Sequence, residues 1–302
     1  MVGSIAYDSV ESPEGKVENA LGGSAIYGGI ASQFHAKILD LGSVGLVGVV
    51  GTDFLQSDRD RLSDLGLDLR GIETAQGNTF RWSGSYHGDM GTAQTHDTQL
   101  NVFGEFEPKV PGFAQNPKVL FCANLLPILQ SKVLDQVQPK RLSMLDSMNL
   151  WISTAKDDLL DVMKRVDLII INDGEVKMIA EDENFIRASR KVVEMTGCHT
   201  LIVKRGEFGV IAFHGKEIIS LPAFPTEMVV DPTGCGDSFA GTLASYLANG
   251  EGDISRSELR NALIAATVTS SFTLESFGTG RLIELDMQEF NKRLTYYNSI
   301  LN

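Results

Sequence analysis

The stretch 229–241, VVDPTGCGDSFAG, joins the end of an apolar run, two glycines, a carboxylate and the start of a helical pattern. Gly234 and Gly236, with Cys235 between them, let backbone N–H groups converge on one point with no Cβ in the way. The helix expected from 237 to about 247 adds its unpaired N-terminal amides and the positive end of its dipole. Phosphate is the anion such a cradle suits best. Asp237 puts a carboxylate where the dipole favours it and where a hydroxyl could hand over its proton. The competing local reading is a capping role, because Asp is a favoured N-cap and Gly-x-Gly is common in strand-to-helix turns.

Four further segments carry chemistry. Asp8, at the carboxyl end of the first expected strand, is a candidate hydrogen-bond acceptor, and Gly22 and Gly23 open a helix at a place where bare backbone could approach a hydroxyl-rich ligand. Asn172 and Glu175 follow the run 168–171, one helical turn apart; they could hold magnesium through its waters or serve as a helix cap. Lys204 and Arg205 precede the Gly206–Gly209 turn and could meet polyphosphate, or they could form surface ion pairs. A glycine-rich loop around Gly278 follows the last long helical pattern.

Elements to position these residues are readable. Buried-strand runs at 44–50, 119–122, 142–145, 166–171 and 200–203 alternate with helical patterns at 24–34, 54–65, 127–136, 153–165, 183–195, 238–247 and 255–272. That alternation predicts a parallel sheet with helices on both faces and ligands beyond the strands' carboxyl ends. Segment 79–102 breaks the pattern and reads as a two-stranded antiparallel excursion, either a lid over a cleft or a peripheral hairpin. Gly45, Gly48 and Gly51 lie within a strand, where they mark close packing.

The chain has 302 residues, 43% hydrophobic and 22% charged, enough for one large α/β domain. A net charge of −13 and a pI near 4.8 argue against nucleic acid or an anionic membrane as partner. Three scattered cysteines suit a reducing compartment, with cytoplasm as the expectation; no apolar run reaches membrane-spanning length and the start lacks signal-peptide order. Few residues precede Asp8, which leaves a trimmed N-terminus open. Walker A, Rossmann, zinc-protease and nucleophile-elbow motifs are absent, and the five histidines have no ligand spacing.

In kind and in chain order these segments resemble the ribokinase-like, or PfkB-type, carbohydrate and nucleoside kinases, whose Asp-x-x-Gly-x-Gly-Asp signature matches 231–237. The resemblance spans nearly the whole chain. It implies a three-layer α/β/α sandwich with a mainly parallel central sheet, one domain over 1–302 and a β lid formed by about 8–20 and 79–106. It implies ATP-dependent phosphorylation of a hydroxyl, with Asp237 as base and Gly234, Cys235 and Gly236 as the anion hole. Asp8, Gly22, Gly23, Tyr27, Arg81, Asn101 and Asn124 become candidate contacts to the acceptor. Asn172, Lys204, Gly206, Gly209 and Gly278 become nucleotide contacts, Glu175 a magnesium holder through water, and Asp231 with Thr233 a monovalent-cation (K+) site. Tyr27 stands where the family often has Asn, Lys204 where Thr is frequent, and Cys235 where a small residue is usual. Its thiol, near a helix N-terminus, reads either as acidified or as simple packing. Phe80, Trp82, Tyr86, Phe103 and Tyr27 could stack on a base, which favours a nucleoside over a ribose- or fructose-type sugar as acceptor. A ligand-binding protein without turnover on the same scaffold is the rival, and an apolar lid face would suit a homodimer.

Overall fold

The computed structural model describes residues 1–88 and 90–301; Asp89, in the turn expected within the antiparallel excursion, lies outside them. The first half of the chain forms β1 (Ala6–Ser12), β2 (Gly15–Gly22), α1 (Ser24–Ile38), β3 (Gly45–Gly51), α2 (Gln56–Asp64), β4 (Asp68–Ala75), β5 (Phe80–Tyr86), β6 (Ala93–Gln99), β7 (Val119–Cys122), α3 (Pro127–Gln136) and β8 (Leu142–Asp146). Then come α4 (Asn149–Thr154), α5 (Lys156–Met163), β9 (Leu168–Asn172), α6 (Asp173–Ala180), α7 (Phe185–Thr196), β10 (Thr200–Lys204), β11 (Val210–His214), β12 (Glu217–Leu221), α8 (Cys235–Asn249), α9 (Arg256–Thr273), α10 (Gly280–Ile283) and α11 (Met287–Leu301).

The five expected buried runs all become strands of one central sheet. β7, β8, β9 and β10 run parallel, β11 and β12 continue antiparallel, and β3 pairs with β4 in parallel. Val2 joins the two parts, bridging Val47 of β3 on one side and Cys122 of β7 on the other. The chain therefore winds away from Val2 in opposite directions, and the cleft beyond the carboxyl ends at such a switch point is where doubly wound sheets bind ligands. Both faces are covered because both are apolar: Ile170 and Ile202 pack with Phe239, Leu243 and Val268 of α8 and α9, while Ile169, Ile171 and Leu201 pack with Leu159, Val176 and Val192 of α5, α6 and α7.

Two helices point their N-termini at that cleft. α1 and α8 meet backbone to backbone, since a Cβ on Gly241 would collide with the Gly28 carbonyl, and Ser32 and Ser245 hydroxyls bond at 2.7 Å across the seam. Glycine at 28 and 241 thus brings the Gly22–Gly23 loop beside the Gly234–Asp237 turn.

The antiparallel excursion is half of a larger element. β5 and β6 join β1 and β2 in a four-stranded sheet of order β2-β1-β5-β6, with β1 and β5 parallel. Sharing its hydrogen bonds with β1 supplies the partner an isolated hairpin lacks. Asp8 lies inside β1 and not at the end of a central strand as expected. Glu14, Lys16, Glu18, Gln94, Asp97 and Gln99 of this sheet and its turns are exposed, with Val17, Ala20, Trp82 and Ala93 half-buried beside them. The helix expected over 153–165 is broken at Ala155, where φ is −146° and ψ 42°.

Candidate active site

The cap question at Asp237 is decided by one residue. Gly234, at φ 76°, is the N-cap of α8, and Asp237 sits inside the first turn. The Cys235 amide turns back to the Pro232 carbonyl at 3.2 Å, while the Gly234 and Gly236 amides have no acceptor among the described residues. Two bare amides at the positive end of a helix dipole are left, an arrangement able to hold an anion. Asp231, fully buried, fixes this turn to the C-terminal loop by accepting the Thr233 amide at 2.9 Å and the Gly278 amide at 3.3 Å. Burial pushes the Cys235 thiol up, with the charges of Asp231 and Asp237 adding to it, and Sγ faces the Ser270 carbonyl at 3.7 Å. A raised thiol facing a carbonyl is what packing predicts, and it runs opposite to acidification by the helix N-terminus.

Carboxyl ends of three adjacent parallel strands deliver the charged residues. β8 ends in Asp146, β9 in Asn172 and β10 in Lys204. Lys204 Nζ bonds Asp146 at 2.8 Å and stands 2.9 Å from where a Cβ on Gly236 would be, so its ammonium borders the anion hole. Carboxylates of Asp146 and Glu175 outweigh the burial that opposes its charge and hold the Lys204 pKa above the ordinary lysine value. Burial, then the Asp146 charge, pushes Asp237 up to about 7 against the pull of Lys204. The same two causes carry Glu175 to about 7.

Asn172 and Glu175 form a capping box for α6, each side chain accepting the other's amide at 2.8 Å. The capping reading thus holds for Asn172, whose carbonyl is engaged. Glu175 spends Oε2 on the Asn172 amide and feels the charges of both Asp146 and Lys204, and two buried carboxylates near one ammonium are a donor set that could hold a hydrated divalent cation through water. Gly206 and Gly209, at φ 53° and 83°, build the turn after Lys204.

At the acceptor end, the Asp8 carboxylate lies against Gly22, where any side chain would overlap it, and takes a bond from the Gly23 amide. Burial pushes it up to about 7, helped by Asp231 and Asp237. Strand pairing sets which residues of the four-stranded sheet share its face. Asp8 is opposite Trp82, and Tyr86 follows on that face, whereas Arg81 is opposite Tyr7 on the other. Arg81 is accordingly removed from the Asp8 side: it pairs with Asp53 at 2.7 Å, bonds Asn19 and lies over the Tyr7 ring. Asn101 is likewise spent on the Thr79 carbonyl at 3.0 Å, and Asn124 accepts the Trp151 indole N–H at 2.8 Å. Phe80 and Phe103 stack on each other with centroids 5.1 Å apart, so they are packing. Trp82 is different. Its ring lies over Gly84, a Cβ there standing 2.5 Å from it, and its N–H is held by Thr95 Oγ at 3.3 Å. Tyr27, 1% exposed, packs its ring against Gly234, and its hydroxyl is buried with no partner. A cavity at the amino ends of β3 and β7 lies elsewhere and is lined by none of these acids.

A stability signature follows from the raised carboxyls. A group ordinarily titrating near 4 but protonated up to about 7 in the folded state stabilises the fold below 4, and that contribution is lost as pH rises through 7. Asp8→Asn is expected to raise the melting temperature of the ligand-free protein at pH 8 by several degrees and to change it little at pH 5. Scanning calorimetry at the two pH values checks this; a lower Tm at pH 8 would count against a strained, buried charge at Asp8.

Comparison with known proteins agrees with this architecture. The family model for pfkB family carbohydrate kinases matches residues 123–285. The cytidine kinase of Thermococcus kodakarensis is 30% identical over 259 residues, covering 82% of this chain and 87% of its own. Among solved structures, the nucleoside kinase of Burkholderia thailandensis in complex with inosine superposes with a TM-score of 0.79 at 20% identity, covering 99% of this chain and 98% of that one. The Methanocaldococcus jannaschii nucleoside kinase gives 0.76 at 21%, covering 98% and 97%. The chain belongs to the PfkB family of carbohydrate kinases, with the ribokinase-like three-layer fold. It is an ATP-dependent phosphotransferase that acts on a hydroxyl group of a nucleoside or sugar, which sets aside the reading without turnover. No helix among the described residues is long and apolar enough to cross a membrane.

Proposed function

We propose that the acceptor is a nucleoside, held between Asp8 and Asp237 with its base on Trp82. The observation that carries this reading is the half-buried indole on Asp8's own face of the lid sheet, its benzo edge packed over Gly84 and its N–H bonded to Thr95, which fixes an aromatic ring where a base could stack. A sugar kinase has no need of such a platform. The named relatives that are cytidine and nucleoside kinases support the same choice.

Asp8 would accept hydrogen bonds from the sugar hydroxyls, beside the bare Gly22 and Gly23 backbone. Asp237 takes the proton of the attacking hydroxyl as its oxygen bonds the γ-phosphorus; the bond to the β,γ-bridging oxygen breaks and ADP departs. The Gly234 and Gly236 amides and Lys204 face the charge on the transferring group. Magnesium, held through water near Glu175 and Asp146, would neutralise the phosphates. Asp231 and Thr233 are the side chains a potassium ion would meet behind the anion turn. The four-stranded sheet acts as the lid, excluding water as the competing acceptor. Unpaired thiols at Cys122, Cys198 and Cys235 fit a cytoplasmic setting.

One panel tests these points together: nucleosides and sugars assayed for ADP release, with magnesium or chelator and with potassium or choline. At least one nucleoside should exceed every sugar in kcat/KM, and Trp82→Ala should raise its KM by roughly tenfold or more, the loss of one base–aromatic stack. Turnover confined to hexoses and indifferent to Trp82→Ala would sink the nucleoside reading.

A further inference from the structure

The anion turn is gripped from two sides by tyrosines that come from different parts of the fold. From α1, the Tyr27 ring fills the space beneath Gly234, leaving no room for a Cβ there. From β5, at the far end of the lid sheet, Tyr86 receives a hydrogen bond from the Thr233 hydroxyl at 3.2 Å. Both rings are buried, at 1% and 8% exposure, so neither grip is a surface accident. Further ties lie near the lid's base, among them Arg81 to Asp53 at 2.7 Å and Tyr7 to Asp58 at 2.8 Å. The Tyr86–Thr233 bond reaches the residue that precedes the first glycine of the anion hole.

We propose that Tyr86 is a positioning residue: by holding Thr233 it sets the Gly234 turn against Tyr27, so that the anion hole takes its working shape only while the lid is docked. The proposal rests on the reading of the four-stranded sheet as a lid and of Gly234 and Gly236 as the anion hole. Tyr86 itself touches neither phosphate nor acceptor in this scheme. Its effect passes through the Thr233 hydroxyl and the backbone it carries.

Tyr86→Phe keeps the ring and removes only the oxygen. We expect kcat for phosphoryl transfer to fall by about tenfold, the scale of one hydrogen bond, with KM for ATP within about twofold. Thr233→Val should do the same, Thr233→Ser should restore most of the rate, and Tyr86→Phe with Thr233→Val should be no worse than either alone. Thermal unfolding of each variant is measured alongside. A rate within twofold of the parent for Tyr86→Phe, or losses that add in the double variant, would overturn the positioning role. Because the parent enzyme's own turnover is the reference in every comparison, a wrong acceptor class would show as a silent parent and would not mimic either result. A drop in melting temperature with kcat unchanged would assign the bond to stability and also reject the proposal.

Discussion

Asp237→Asn is expected to lower kcat by about a thousandfold, within the range that removal of a general base produces, while nucleotide affinity changes by no more than a few-fold. Asparagine has the same shape and sits in the same first turn of α8, so the Gly234 and Gly236 amides keep their directions. What disappears is the only carboxylate in that turn able to take the hydroxyl proton. A pH profile separates this from general damage. Burial and Asp146 hold the Asp237 carboxyl near 7, so parent activity should climb as pH rises through neutrality and the base ionises. The variant should lose that limb and keep a low, flat rate. Rates at saturating ATP and acceptor from pH 5.5 to 9, with calorimetric titration of the nucleotide, read both quantities. A variant within tenfold of the parent, or one that retains the limb, would remove Asp237 from the role of base.

Local chemistry was legible in the sequence, and non-local chemistry was not. The anion turn could be read because its glycines, its carboxylate and its helix are contiguous, and the same holds for Gly22–Gly23 and the Asn172–Glu175 box. Asp146 was missed, although its signal was present. It ends the run 142–145 as Asn172 ends the next and Lys204 the one after, and in a parallel sheet these three ends are neighbours. Arg81, beside the lid aromatics, reads as able to reach a polar substituent of the acceptor. A strand alternates faces, so that adjacency in sequence is what turns it away from Asp8. The cluster of aromatics divided for a similar reason: Phe80 and Phe103 found each other across a loop, which composition does not register. The pairing of β1 with β5 is a contact between distant segments, and no local pattern announces it.

Gly234→Ala carries the second large effect, and two separate costs produce it. At φ 76° a residue with a Cβ is strained by about 1 kcal/mol. The larger cost is steric, because the new methyl would overlap the Tyr27 ring, which is itself buried between α1 and the anion turn with no open space to enter. Either the turn lifts off Tyr27 or α1 shifts, and α1 is held to α8 by the Gly28–Gly241 contact. The turn should therefore move, carrying the Gly234 amide away from the transferring phosphoryl group. We expect kcat to fall by at least about a hundredfold, the scale reported by the loss of an oxyanion-hole donor, together with a lower melting temperature. Shrinking the partner tests the cause: Tyr27→Ala combined with Gly234→Ala relieves the overlap, so the double variant should recover part of the rate that Gly234→Ala loses, despite the cavity left under the turn. If Tyr27→Ala instead adds its own loss to that of Gly234→Ala, the collision is not what fixes glycine at this position, and the left-handed backbone alone must account for it.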